Sequence, residues 1–135
     1  LDVLKKLVAA FYLNFLIHYP IFFFFPTVIE RPTTSLDGWA GSAFSFLRWI
    51  DQPVNCFPSQ HVSLCFVVAL GFWNYRRWIS IFFLFWAIAI SLSTLTTKQH
   101  YFWDVLGGLV VFLICYGVVL RKESQPKLQL VSPSK

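Results

Sequence analysis

The sequence predicts an all-α fold, a polytopic bundle of membrane-spanning helices, and three observations predict it. The 135 residues are 57% hydrophobic and 20% aromatic with only 13% charged, whereas soluble domains carry about 25% charged residues. The apolar residues gather into four runs, each approaching the roughly 20 residues that a helix needs to cross a bilayer. The cations stand in pairs at the ends of those runs. A chain of this length accommodates one domain.

The first run, near 7–25, carries Asn14 and His18, and Pro20 is placed to bend it. The second, near 61–75, is short; the third covers about 78–95 and the fourth about 101–120. No internal repeat is visible. Lys5/Lys6, Arg76/Arg77 and Arg121/Lys122 each close a run, and four crossings put all three pairs on one side. The positive-inside rule makes that side cytoplasmic, so the connection 26–60 and the hairpin 96–100 face the other side. Residues 121–135, with Pro, Ser and Lys, read as a disordered cytoplasmic tail. No signal-peptide pattern is present. The chain opens at Leu1 almost directly into an apolar run, which reads as a segment preceded by further helices.

The net charge of +5 would suggest nucleic acid in a soluble protein, but cations at run ends point to the membrane, and no nucleic-acid partner is expected. The three cysteines form no disulfide framework. Cys65 and Cys115 read as small buried hydrophobes, and Cys56 as exposed. Arg31, Arg48 and Lys98 fall on the non-cytoplasmic side, where orientation does not call for them. A bound anion explains them, although Lys98 could instead snorkel to the interface and Arg48 could anchor there.

Two segments on that side carry chemistry. In "NCFPSQHVSLCF", Ser59 suits a helix N-cap and Pro58 an early helical position, so the second helix starts there and runs inward. The fourth, opening near His100, does the same. Both present free N–H groups and the positive end of the helix dipole, which favours phosphate. His61 falls in one first turn. His100 opens the other, and Asp104, four residues on, shares its face. A carboxylate on one ring nitrogen fixes the tautomer and leaves the other nitrogen an electron-pair donor. Asp104 is expected about 6 Å inside the helix start, where an unpaired aspartate costs up to roughly 2.5–3.5 kcal/mol. Two imidazoles, a carboxylate and nearby cations suit phosphoryl transfer without cofactor or metal: one ring attacks phosphorus and the other protonates the departing oxygen.

The bland alternatives are a capping role for His61, a structural pair for His100 and Asp104, and zinc held by His61, Cys65 and Cys56. Ser93 reads as a helix-packing or a phosphate-binding hydroxyl, and His18 with Asn14 as an interhelical polar stripe or the lining of a substrate path. Phe22–Phe25, Trp39, Trp49, Tyr101 and Trp103 suit an interfacial belt, and Gly107 and Gly108 suit close helix packing.

"PSQH" (58–61) resembles the "PSGH" motif of the type 2 phosphatidic acid phosphatase, or lipid phosphate phosphatase, superfamily. "STLTTKQHYFWD" (93–104) matches its "SRxxxxxHxxxD" motif at Ser93, His100 and Asp104 with identical spacing, and Arg31–Pro32 resembles the end of "KxxxxxxRP". The similarity spans roughly residues 20–120. It implies a helical membrane bundle, commonly of six spans, and a catalytic domain over residues 1–120. It implies His100 as the nucleophile that forms a phosphohistidine, Asp104 as its orienter and His61 as the acid. Ser59, the Gln60 N–H and Arg31 would hold phosphate. Three positions depart from the pattern: Phe24 replaces the lysine, Gln60 the glycine and Thr94 the arginine. Lys98 could supply the missing charge as a point rather than a planar fork. Such variation resembles the branch of sphingomyelin and inositol phosphorylceramide synthases, which pass the phosphate group to an alcohol.

The expected protein is thus a metal-independent lipid phosphate phosphatase or phosphotransferase in the plasma or inner membrane, acting on a lipid phosphate at the non-cytoplasmic face. The alternatives are a headgroup transferase of the inositol phosphorylceramide synthase kind and a non-catalytic lipid-binding or transport component. Substrate identity, oligomeric state and the choice of water or alcohol as acceptor are not legible.

Overall fold

The computed structural model describes residues 2–30, 37–50 and 53–121. Arg31 and the tail beyond Arg121 lie outside them. The order is α1 (Asp2–Phe24), α2 (Gly38–Ile50), α3 (Gln60–Gly71), α4 (Arg77–Thr96) and α5 (Phe102–Cys115), which a π-helical turn (Tyr116–Leu120) continues. Among the described residues there is no strand; Val28 and Val54 form an isolated antiparallel bridge. The all-α expectation holds.

Among the described residues three helices are long and apolar enough to cross a membrane: α1, α4, and α5 with its continuation to Leu120. The fourth expected span, α3, is apolar but only 12 residues long, about 18 Å against a hydrocarbon core of about 30 Å. This shortest helix is the centre of the bundle and packs on α1, α4 and α5. Leu7, Ala10, Val67, Val111, Phe112 and Cys115 form the buried core where α1, α3 and α5 meet. Outside it, Phe23, Phe85, Trp103 and Leu113 are among many exposed large apolar side chains, the surface that lipid would cover.

Because water and lipid compete poorly for polar groups between helices, small and polar residues join them. Ser80 on α4 donates to the Ala69 carbonyl of α3 at 2.5 Å. The Asn14 amide of α1 donates to the Ser63 hydroxyl of α3, so the interhelical reading of Asn14 holds. His18 Nδ1 instead lies 2.9 Å from the Asn14 carbonyl on its own helix. Both Asn14 and His18 are fully buried.

The four bundle helices α1, α3, α4 and α5 alternate in direction: Gly71 at the end of α3 sits against Leu7 and Leu120, while Tyr19, Gln60, His61 and His100 share one cleft. The end of α1, the start of α3 and the α4–α5 turn therefore share one end of the bundle, while Lys5, Lys6, Arg76, Arg77 and Arg121 gather at the other. That is the charge segregation the sequence implied.

The helix α2 is a feature that the reading of 26–60 as a plain connection missed. Only Gly41 on it is buried, and Trp39, Phe46, Trp49 and Ile50 are exposed. Arg48 lies 4.6 Å over the Phe44 ring of the same helix. An aromatic-rich helix with so little of its surface buried suits the membrane interface. Its apolar residues look like interfacial anchors in sequence whether or not they are helical, which is why the helix was not legible.

Candidate active site

Ser59 is the N-cap of α3: its hydroxyl oxygen accepts the Val62 N–H at 3.4 Å, and it is fully buried. Gln60 and His61 are thus the first two helical residues. Ser59 takes the cap position expected of it, whereas Pro58 precedes the cap instead of lying at an early helical position. Two tethers hold this helix start against α5. The Ser59 N–H donates to the Asp104 carbonyl at 2.9 Å, and Gly107 and Gly108 let the chains touch. A Cβ built on Gly108 would lie 2.4 Å from the Ser59 carbonyl oxygen, and one on Gly107 2.7 Å from the Phe57 ring. The packing role read for this glycine pair is thereby met.

The other half of the site hangs from the end of α4. The Thr94 carbonyl accepts the N–H groups of both Gln99, at 2.9 Å, and His100, at 3.2 Å, while the Lys98 N–H reaches the Leu95 carbonyl at 3.3 Å. This double closure is the Schellman pattern, which wants a left-handed residue after the C-cap. Lys98 occupies that position with φ 55°. Thr94, found where the family has arginine, is buried and serves this turn through its backbone.

Lys98→Gly is therefore expected to raise the melting temperature in detergent modestly, because a side chain in this region costs about 1–2 kcal/mol. Thermal unfolding of the purified variant checks it; a large fall would mean that the Lys98 side chain itself holds the turn.

His100 precedes α5 rather than opening it. Tyr101 is the N-cap, and Asp104 is the third helical residue, shallower than the expected depth of a full turn. Its Oδ2 accepts the Tyr101 N–H at 2.8 Å. The same oxygen lies 3.5 Å from His100 Nδ1, with both side chains nearly buried. That separation is longer than a formed hydrogen bond. The geometry turns Nδ1 toward the carboxylate, and the residue lines the cleft described next.

The two imidazoles come together. His61 and His100 have ring centroids 5.8 Å apart with planes 60° from parallel. His61 is exposed and His100 only 8% so. Both line a cleft of about 280 Å³ together with Tyr19, Phe22, Val54, Asn55, Cys56, Gln60 and Gln99. Ser59, the cap of α3, immediately precedes Gln60 of that lining. Lys98 is exposed beside Gln99 and does not line the cleft. Ser93 is exposed on α4 and is likewise absent from the lining. Cys56, expected to be exposed, is 5% exposed. Cys65 faces an apolar groove with Phe11 and Trp86, away from the cleft and from any partnership with His61. Among the described residues no group of three His, Cys, Asp or Glu side chains could hold a metal ion.

Sequence reasoning missed Tyr19, Phe22, Asn55 and Gln99 as lining. Phe22 read as interfacial belt, and its place across from α3 required knowing that α1 and α3 pack. Gln99 had a signal: like Gln60, it immediately precedes a histidine.

Fold and cleft together define an integral membrane helical protein with a paired-histidine pocket at one end of its bundle. A family model described as the PAP2 superfamily matches residues 2–118. The chain belongs to that superfamily, the type 2 phosphatidic acid phosphatases, and membership supports a phosphatase- or phosphotransferase-type function. No curated protein and no solved structure matches the chain.

Proposed function

We propose that the protein is a lipid phosphate phosphatase or phosphotransferase that works through a phosphohistidine on His100, at the non-cytoplasmic membrane face. The observation that carries this reading is the approach of the His61 and His100 rings to 5.8 Å across a cleft that both line. Reacting atoms must sit about 3–3.5 Å apart before attack, and two rings this close can both reach one phosphoryl group held in the cleft that they line.

In the first half-reaction the His100 Nε2 lone pair forms an N–P bond. The bond from phosphorus to the lipid oxygen breaks, and that oxygen leaves with the electron pair and takes a proton from the His61 imidazolium. In the second, an acceptor O–H attacks phosphorus and gives its proton back to His61, and the N–P electron pair returns to His100. Asp104 stabilises the charge that His100 carries in between. The Gln60 N–H, free at the first turn of α3, and the Ser59 N-cap favour the phosphate oxygens. Lys98 adds a positive charge nearby, and Arg31 is assigned the same role from the motif alone. Nucleophile, acid and orienter are all side chains of the protein, so the reaction as written draws on no metal.

The segregation of Lys5, Lys6, Arg76, Arg77 and Arg121 at the end opposite the cleft supports a non-cytoplasmic site. A site at the end of apolar helices lets a lipid keep its chains in the bilayer while its phosphate reaches His100.

The test is to quench the protein during turnover of a ³²P-labelled lipid phosphate in mixed micelles. The label is expected on His100, stable to base and lost in acid, and turnover is expected to persist in excess EDTA. Turnover with no labelled protein would overturn the covalent route, and loss of activity on chelation would overturn the metal-free one.

A further inference from the structure

Each histidine of the cleft is preceded by a glutamine, in "SQH" (59–61) and "KQH" (98–100), and all four side chains line the same cavity. The pairing is not a helix-propensity effect, because Gln60 is the first residue of α3 whereas Gln99 lies in the turn before α5. The main-chain N–H of Gln99 is already committed to the Thr94 carbonyl at 2.9 Å, so its amide side chain is the part that the cleft can use. The Nε2 of Gln60 is buried and has no hydrogen-bond partner among the described residues. A buried donor left unmade is costly, and here it stands beside a cavity that a ligand enters.

The remaining polar lining sharpens the ligand's chemistry. Among the described residues the cleft wall contains carboxamides, imidazoles, a thiol and a phenol, but no carboxylate, lysine or arginine. A carboxamide both donates and accepts. Phosphate oxygens deprotonated near neutral pH only accept, so they use half of that capacity. An ammonium headgroup brings charge to a wall whose described residues include no carboxylate to answer it. A hydroxyl, which also donates and accepts, satisfies both ends of the amide. Two carboxamides flanking the rings suit an alcohol with adjacent hydroxyls.

Resting on the phosphohistidine reading above, we propose that Gln60 and Gln99 are specificity-determining residues. They bind an uncharged, hydroxyl-bearing acceptor beside the phosphorylated His100 and direct the phosphoryl group to an alcohol in preference to water. The attacking hydroxyl forms the new O–P bond and passes its proton to His61. The His100 N–P bond breaks with its electrons returning to the ring. A second hydroxyl of the same acceptor bonds a glutamine amide.

The experiment reads how the phosphoenzyme divides between acceptors. The full chain in micelles receives ³²P-labelled phosphatidic acid with equal concentrations of glycerol or choline, and the ratio of phosphorylated alcohol to free phosphate is measured. That ratio is set after the phosphoenzyme forms, so it does not depend on how fast it forms. Glycerol is expected to give a transfer ratio well above that of choline. Gln60→Leu and Gln99→Leu are each expected to lower the glycerol ratio about tenfold, the usual worth of a lost hydrogen bond to a buried group, and to leave the choline ratio in place. Equal ratios for glycerol and choline in the wild-type protein, or a glycerol ratio unmoved in both variants, overturn the proposal. A choline ratio above that for glycerol overturns it in favour of an ammonium-binding cleft built on Tyr19 and Phe22. The wild-type comparison stands even if a variant fails to fold. Absence of any labelled protein would sink the phosphohistidine reading instead, which keeps the two failures apart.

Discussion

His100→Ala is expected to lower turnover of any lipid phosphate by at least about 10⁴-fold and to abolish labelling of the protein. The size follows from what the ring supplies. On the proposed route, removing it deletes the atom that forms the covalent bond, and His61 is a poor substitute: among the described residues no carboxylate pairs with it, whereas His100 has Asp104 Oδ2 at 3.5 Å from Nδ1. His61→Ala serves as the contrasting variant, because an acid matters only as much as the leaving oxygen needs a proton. With an alkyl lipid phosphate, loss of His61 is expected to cost about 10²–10⁴-fold. With a p-nitrophenyl phosphate ester, whose leaving group departs unprotonated, the cost should shrink for His61→Ala and stay complete for His100→Ala. Initial rates on both substrates, with size-exclusion profiles to show intact folding, decide it. An equal response of the two variants to leaving group would mean that the roles are misassigned, and substantial activity in His100→Ala would remove the nucleophile altogether.

What could be read from the sequence divides by the range of the interaction. The spans were legible because lipid imposes a length on apolar runs, and the start of α3 was legible because Ser59 caps it locally. The likeness of spacing between His100 and Asp104 survives in the structure, but their relation to the helix does not. The carboxylate first satisfies the Tyr101 N–H at 2.8 Å, and periodicity cannot tell a residue that starts a helix from one that lies just ahead of it. The meeting of His61 and His100 was inferred from a motif and from antiparallel topology; its physical cause is the tether between Ser59 and Asp104 and the absence of side chains at Gly107 and Gly108. The α1 wall of the cleft was invisible, since nothing local to Tyr19 or Phe22 says which helix will lie opposite. Lys98 in the left-handed region was equally hidden, because a C-cap motif normally announces itself by glycine or asparagine.

That dependence on tertiary contact makes Gly108 the most sensitive non-chemical position. A Cβ there would stand 2.4 Å from the Ser59 carbonyl oxygen, whereas ordinary contact begins at 3.4 Å. The obstacle is main chain and cannot swing aside as a side chain would, so the start of α3 must retreat by about 1 Å. A misplacement of that size in a reacting group costs on the order of 10²-fold in rate, and the overpacked interface costs about 1–3 kcal/mol of stability. Gly108→Ala is thus expected to lose activity about 10²-fold while the bundle still forms, since the Leu7, Val67, Val111 and Cys115 core lies deeper along the same helices. Gly117→Ala is the matched control: a Cβ on Gly117 meets nothing within 4 Å, so the same added methyl is expected to leave rate and melting temperature within error. Because Gly108 contacts no substrate, the loss should fall on kcat for both ester classes alike, without the leaving-group dependence expected of His61→Ala. Full activity in Gly108→Ala would show that the close seat of α3 on α5 does not set the spacing of the two rings.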